Sequence, residues 1–526
     1  MSTLSQSTLR HAGSRRTGSD TRTLVLDPAS RLTAERLERF VRAADERCEL
    51  SGAARRAMER SCAALAGARA RGEQIYGLTT GFGPHVKYAA CASTERQGAG
   101  LIAHLGAGFG RAADDDVALA TMVLRARTLA RGMSGISVDV AETLVALINA
   151  RVTPLIPEIG SVGASGDLTP LSFLARLMMG EGPARRAGET MPAMRALELS
   201  GCAPLTLGGR DALALVNGTS FMSAYAALAL VRAKRLIERC ELVTGWIYRV
   251  LGCRAEALDP RLHRARGHAG QARSADVIRS EAGSNGPWED VTRPLQEVYS
   301  LRCAPQVLGA CRDQIEYAGT LIEREINGVN DNPVVWCGET ETDEAVLHGG
   351  NFQGQQLAFA ADALNAALVQ AAVLAERQLD VLVNPELNGG APLLLAWEPG
   401  ATSGLAGAQL TATALVAEMR HHGGPVATSS IPTNGRNQDV VSMGTLAARA
   451  ALAQTDRLAG VLAATCIGAD QLTFLRSRGR APGRVAPRPS WAPAFEAFEA
   501  DRPLHDDLMR IAGALVAPDD QVTGAW

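Results

Sequence analysis

Two stretches of this chain, residues 352–383 and 442–475, each run for over thirty residues without a proline. Proline breaks a helix interior, so its absence permits single helices of unusual length. In the first stretch the one glycine, Gly354, falls in the first turn, while the second contains Gly444, Gly460 and Gly468. Both are alanine-rich and apolar around much of their circumference, so they must be covered on several sides. Packing side by side in a bundle, or across subunits, meets that demand. Residues 222–250 add apolar positions at three-to-four spacing, with Arg232, Lys234, Arg235, Glu238 and Arg239 on the other side. Residues 117–131 read as a helix ended by Gly132. Strand signals are rare, no internal repeat occurs, and 4% aromatic content with abundant alanine favours close helix approach. The expected class is mainly α, with a long central helix bundle.

Loops divide this pattern. Residues 75–86 are glycine-rich, residues 254–287 read as a polar, charged connection, and residues 476–493 are rich in Pro and Arg. The expected organisation is a disordered tail at 1–20, an N-terminal domain at 21–210, a long-helix domain at 211–475, and a C-terminal loop and helical cap at 476–526. The tail is Ser-, Thr- and Arg-rich, carries no acid before Asp20 and lacks the apolar core of a secretory signal; a transit peptide is the alternative. Residues 212–231 carry no charge and approach membrane-spanning length, but Asn217, Thr219 and Ser220 within them fit a buried core helix better, so no membrane is expected.

Formal net charge is −2 with no basic block, which argues against nucleic acid as a partner. The ten cysteines contain no CxxC, and scattered thiols suit a reducing cytosol, so the expected location is cytoplasmic. Among nine histidines one pair is adjacent, His421-His422, and no metal site is expected. GAGFG at 106–110 does not follow a strand signal and is discounted as a nucleotide loop.

The chemistry starts at Ala164-Ser165-Gly166, inside GSVGASGDLTPLS (160–172). Small residues leave the backbone unobstructed, and glycine frees φ. A chain needs this if its own amide nitrogen is to bend back onto a nearby carbonyl and close a ring. Loss of water from the Ser165 side chain would then leave an exocyclic methylene. No ordinary side chain is electrophilic, so such a ring would add a missing function.

Seven motifs occur in order: IYGLTTGFGP (75–84), GSVGASGDLTPLS, ALVNGTS (214–220), YSLRCAPQVLGA (299–310), NGVNDNPV (327–334), HGGNFQGQ (348–355) and NGRNQDVVSMG (434–444). Together they resemble the aromatic amino acid ammonia-lyase family, over roughly residues 25 to 515. The family includes histidine, phenylalanine and tyrosine ammonia-lyases and related 2,3-aminomutases. The long insertion near the C-terminus of plant and fungal phenylalanine ammonia-lyases is missing, so the chain resembles the bacterial type. The resemblance implies a helical homotetramer with long antiparallel central helices and active sites where three subunits meet. It implies a methylidene-imidazolone formed autocatalytically from Ala164-Ser165-Gly166, with no metal, nucleotide or pyridoxal phosphate.

The resemblance also implies roles. Tyr76 matches the base that removes the substrate β-proton, a task that needs positive charge or hydrogen-bond donors near its phenolate. Gly77, Gly81 and Gly83 suggest a mobile loop around it. Arg302 matches the carboxylate anchor, for which a guanidinium fork is suited. Tyr299 assists at the electrophile, and Asn217 hydrogen-bonds the ring carbonyl. Asn332, Gln355 and Asn434 are expected polar lining, and Phe352 an aromatic near the ring. Thr79 stands where many members carry Asn, a departure some tyrosine lyases share.

Two positions bear on the substrate, expected to be a small aromatic amino acid. His104-Leu105 fall at the family's selectivity pair. His with Leu resembles tyrosine ammonia-lyases, where imidazole hydrogen-bonds the phenol; Phe there would resemble phenylalanine selectivity, and Ser-His the histidine enzymes. Gln438 stands where histidine ammonia-lyases carry Glu, and an amide cannot pair with an imidazole's charge. The expected reaction is deamination of tyrosine to p-coumarate. Phenylalanine or histidine ammonia-lyase and tyrosine 2,3-aminomutase are same-fold alternatives, and a non-catalytic helical scaffold is the remote one.

Overall fold

Alanine-rich segments with few breakers become helices nearly as long as the sequence allows. In a computed structural model of the protein, which describes residues 23–283, 289–290, 292–338, 340 and 343–518, the three longest are Ser220–Leu251, Gln355–Val383 and Gly444–Ser477. The expected tail at 1–20 and the last eight residues of the cap lie outside the described residues. The long helices run side by side in one direction. Met222 meets Gly354 and Gly444 at their starts, the Thr465 hydroxyl donates to the Ala375 carbonyl midway, and the Arg476 guanidinium donates to the Val250 carbonyl at their ends. Antiparallel neighbours complete the bundle. Ala304–Glu325 packs against the first two, and Ala406–His422 packs against the second and third. The fold is mainly α with antiparallel packing in the bundle, as expected, but the three longest helices share one direction, which places three N-termini at one end.

Gln355–Val383 and Gly444–Ser477 are apolar and long enough to cross a membrane, yet 61% and 78% of their apolar windows are buried within the chain itself. The uncharged stretch 212–231 is buried throughout, but it is not one helix. Gly209–Val216 ends at Asn217, and Ser220–Leu251 begins after Thr219. The break arises because the Asn217 and Gly218 carbonyls bond outside the helix, accepting from the Arg125 guanidinium and from the Asp167 amide.

Of the expected connection at 254–287, residues 284–287 lie outside the described residues, and residues 254–283 correct the sequence reading. They hold a 3-10 turn, Ala255–Leu258, and two helices, Pro260–Arg266 and Ala269–Ala282, rather than a loop. Asp259 caps the first helix by accepting from the Arg261 amide, with Pro260 at the first position where its missing N–H matters least. The second helix buries Gly270, Gln271, Ser274, Ala275, Ile278 and Ala282. That face has helical spacing but is small and polar, so hydrophobic periodicity does not reveal it. Gln271 donates to His263 Nδ1 at 2.9 Å, and Ser274 donates to Glu241 at 2.5 Å.

Strands are short and pair locally. The pair Val334–Trp336 and Ala345–Leu347 matters for the site, because it carries the 327–334 and 348–355 motifs side by side.

Glu241 joins the Ala269–Ala282 helix to the bundle. Its carboxylate is fully buried and takes both nitrogens of the Arg312 fork at 2.6 Å. Glu241→Ala removes the carboxylate that takes both nitrogens of the buried Arg312 fork and is expected to destabilise the fold by about 3–5 kcal/mol. Denaturant unfolding of the two proteins checks this; equal midpoints would show that the pair does not hold the helix in place.

Candidate active site

The Ala164-Ser165-Gly166 turn is set where helices begin. Leu168–Met178 starts directly after it, and the N-termini of Ser220–Leu251 and Gly444–Ser477 close on it from two sides. Asp167 ties these parts together. Its fully buried carboxylate accepts from the Met222 amide at 2.8 Å, the Thr445 hydroxyl at 2.6 Å and the Ser161 hydroxyl at 2.8 Å. Its own N–H donates to the Gly218 carbonyl at 2.7 Å. Burial nevertheless pushes its carboxyl up to about 6, above the ordinary 3.8. On the other flank the Ser442 hydroxyl donates to the Gly163 carbonyl at 3.1 Å, and the Met443 amide to the Val162 carbonyl at 2.9 Å. Gly166 has φ +62, and a Cβ there would overlap the Gly218 carbonyl. The turn is therefore held tightly by backbone on several sides.

Ser165 faces a cavity of about 740 Å³. The Gln438 amide donates to its Oγ at 3.2 Å and is itself oriented by the Thr433 hydroxyl, which donates to Gln438 Oε1 at 2.7 Å. Tyr76 enters on the glycine-rich loop. Its phenol oxygen accepts from the Gly83 amide at 2.7 Å, and its ring meets Phe82 edge-on. Burial raises the phenol above its ordinary value of 10, and the Gly83 donor offsets this only in part. That loop is folded here, with a 3-10 turn at Gly83–Lys87.

His104 lies on the helix Thr94–Leu105, with Leu105 beside it at the cavity. Its Nδ1 is 3.0 Å from the Gly100 carbonyl. A carbonyl only accepts, so in neutral His104 the proton sits on Nδ1 and Nε2 is left as an acceptor. Arg96, two turns earlier on the same helix, is the one Arg or Lys among the described lining residues. No carboxylate lines the cavity among the described residues.

Asn217, Asn332, Phe352 and Asn434 also line the cavity. Asn217 differs from expectation in role. Both of its amide hydrogens are used, one by Asp331 at 3.1 Å and one by the Asn332 carbonyl at 3.1 Å. In this arrangement it cannot donate to a ring carbonyl as well. Asp331 also pairs with buried Arg210 at 2.6 Å, so this corner is rigid.

Three expected residues stand apart from the cavity of this chain. Gln355 donates to the Ala427 carbonyl at 3.1 Å and does not line the cavity. Tyr299 and Arg302 share a single helical turn, with the guanidinium 4.6 Å from the Tyr299 ring centroid, and Arg302 lines another recess. Tyr299 is 70% exposed. The sequence reading did not single out Arg96, Asn437 or Cys91, which also line the cavity. Arg96 had a usable signal, its spacing of four and eight residues from Gly100 and His104 on one helix face.

Comparison with known proteins agrees with this geometry. The family of aromatic amino acid lyases, described as "Aromatic amino acid lyase", matches residues 32–494. A histidine ammonia-lyase from Gloeobacter violaceus is 40% identical over 417 residues, 78% of this chain and 80% of that protein. A tyrosine ammonia-lyase from Cupriavidus metallidurans is 37% identical over 486 residues, 86% of this chain and 90% of that protein. The crystal structure of a tyrosine aminomutase from Streptomyces globisporus superposes with a TM-score of 0.83 at 32% identity, covering 94% and 97% of the two chains. The chain belongs to the aromatic amino acid lyase family and is an enzyme of the ammonia-lyase class.

Gly166→Ala tests the tight turn. A Cβ there displaces backbone rather than a flexible side chain. Turnover is expected to fall by about 10² or more, because the turn sets the position of Ser165. Wild-type turnover would show that the turn tolerates the extra atom.

Proposed function

We propose that this enzyme is a tyrosine ammonia-lyase, releasing ammonia from L-tyrosine to give trans-p-coumarate. The observation that carries the reading is His104. With Nδ1–H committed to the Gly100 carbonyl, its Nε2 offers a lone pair to the cavity, and a phenol O–H is a fitting donor. Histidine as substrate is disfavoured by Gln438 and by the lack of a carboxylate among the described lining residues. A tyrosine 2,3-aminomutase, which moves the amino group from the α- to the β-carbon, is the second reading, favoured by the likeness to the tyrosine aminomutase; product analysis for β-tyrosine separates the two.

The residues fit a methylidene-imidazolone. Small side chains, φ +70 at Gly163 and φ +62 at Gly166, and a serine facing the cavity suit closure of a five-membered ring in the backbone. Once formed from Ala164-Ser165-Gly166, the group would supply an electrophilic methylene that makes the substrate amine a better leaving group. The protein's own residues do the rest. Tyr76, as phenolate, accepts the β-proton, and the Gly83 amide stabilises its charge. Because burial raises the phenol, the base form grows as pH rises, and kcat is expected to climb through the alkaline range. Helix N-termini around the turn favour negative charge there. The folded loop at 76–88 shields the reacting atoms from water.

Arg302, the expected carboxylate anchor, stands outside this chain's cavity. Arg302 Nε is buried and has no hydrogen-bond partner among the described residues, and its neighbour Tyr299 is largely exposed. These features support a homotetramer in which Arg302 and Tyr299 of one copy complete the cavity of another. A cytoplasmic enzyme acting on free amino acids without metal or nucleotide is the consistent whole.

Intact mass tests the electrophile. The wild type is expected to be lighter than its sequence by two waters per chain, and Ser165→Ala to be unmodified at Ser165 and nearly inactive. A fully active wild type of unmodified mass would overturn the reading. His104→Phe tests specificity. The ratio of kcat/KM for phenylalanine to that for tyrosine is expected to rise about 10- to 100-fold, since the phenol loses its acceptor. An unchanged ratio would make His104 a structural residue.

A further inference from the structure

The backbone of Tyr76 is held by a residue outside the cavity. Its N–H points at His348 Nε2, at 3.1 Å. His348 directly follows the strand Ala345–Leu347, at the end where Leu347 pairs with Val334. The next residue is fixed too, because the Gly349 amide donates to the Asn332 side-chain oxygen at 2.8 Å. The Val335 amide donates to the Met133 carbonyl at 2.8 Å, and Val335 packs with buried Ile75, the residue before Tyr76. His348 therefore stands on a rigid platform and reaches into a glycine-rich segment.

Apart from its own short turns and the Gln97 side-chain amide, which donates to the Thr80 carbonyl at 3.0 Å, that segment has few other ties near Tyr76. The Leu78 and Thr79 amides donate to the Ile75 carbonyl, and the Gly77 amide to the Thr80 hydroxyl. The phenol end is held by Gly83, which belongs to the same segment. Among these bonds, the one to His348 ties the Tyr76 main chain to the rest of the fold.

We propose that His348 is a positioning residue for the β-proton base, latching the Tyr76 main chain in its working pose while its imidazole is neutral and releasing it on protonation. This rests on Tyr76 being the base. An imidazole accepts at Nε2 only with its proton on Nδ1, and the imidazolium accepts nowhere. Arg210, buried on Gly209–Val216 and paired with Asp331, is the charged group that acts on His348. Glu344 and Arg60 act instead on Cys337, at the opposite end of the strand pair. Burial and the Arg210 charge push His348 below its ordinary 6.5. The sign follows directly: the latch holds at neutral and alkaline pH and is lost as pH falls through a value below about 6.5.

Two variants test the proposal. His348→Gln keeps an acceptor that does not titrate, and His348→Phe removes it. Steady-state kinetics from about pH 5 to 10 and limited proteolysis of residues 77–91 are the readouts. In His348→Phe, kcat is expected to fall about 10- to 100-fold below wild type at neutral and alkaline pH and to converge on it at acid pH, where the wild-type latch is already released, with KM changed far less and the mass of the Ser165 turn as in wild type. His348→Gln is expected to recover most of that loss at alkaline pH. Protease cleavage in the loop should rise at acid pH in wild type, be high throughout in His348→Phe, and stay low in His348→Gln. Equal behaviour of the two variants, or pH-independent cleavage in wild type, would overturn the latch. The proteolysis does not depend on which residue is the base. A failed base assignment would instead appear as undiminished turnover in Tyr76→Phe.

Discussion

The site depends on one buried carboxylate. Asp167 follows the Ala164-Ser165-Gly166 turn and accepts from Ser161 before the turn, from Met222 in the first turn of one long helix and from Thr445 in the first turn of another. A carboxylate this buried is unfavourable alone, and its pKa rises accordingly. Three donors and the positive ends of helices are what make it tolerable. The same bonds fix where the turn sits relative to the bundle. Parallel direction of the three longest helices is thus a functional matter. It brings their N-termini to one place, and the turn is fastened there.

Much of this could be read from the residues. The long helices follow from the lack of proline and from alanine content, and their observed ends lie within three residues of the expected ones. The ordered glycine motifs located Tyr76, Ser165, Asn217 and Gln438, and the fold gathers these around one cavity. Other features were hidden for physical reasons. The Ala269–Ala282 helix buries Gln271 and Ser274 against Glu241 and His263, so these polar residues interrupt the short apolar stripe of Ala275, Ile278 and Ala282 on its inner face. The break at 217–219 comes from bonds to residues far along the chain, Arg125 and Asp167. Hydrogen-bond direction was out of reach as well. Residue type does not tell that Asn217 spends its donors on Asp331 and Asn332, or that His104 spends one on Gly100.

In the proposed reading, specificity and catalysis draw on different walls of the cavity. The selectivity helix, Thr94–Leu105, contributes His104 through a backbone bond within its own last turn, so that residue can change without disturbing the turn at Ser165. Gln438, by contrast, touches Ser165 and is tied to Thr433, so its identity bears on both substrate charge and the reacting group. Relatives named for histidine and for tyrosine share this framework at similar identity, which fits a scaffold whose substrate choice rests on few side chains.

The central claim is that this cavity becomes a working site only when another copy of the chain supplies Arg302. Subunit complementation tests it most directly. Tyr76→Phe and Arg302→Ala chains are each expected to assemble into nearly inactive enzymes. Co-expressed in equal amounts, they form mixed oligomers in which some cavities take an intact Tyr76 from one chain and an intact Arg302 from another. Random assortment predicts recovery of about a quarter of wild-type activity. Activity no greater than the sum of the two separate variants would mean that both residues act within one chain, and the shared site would be wrong.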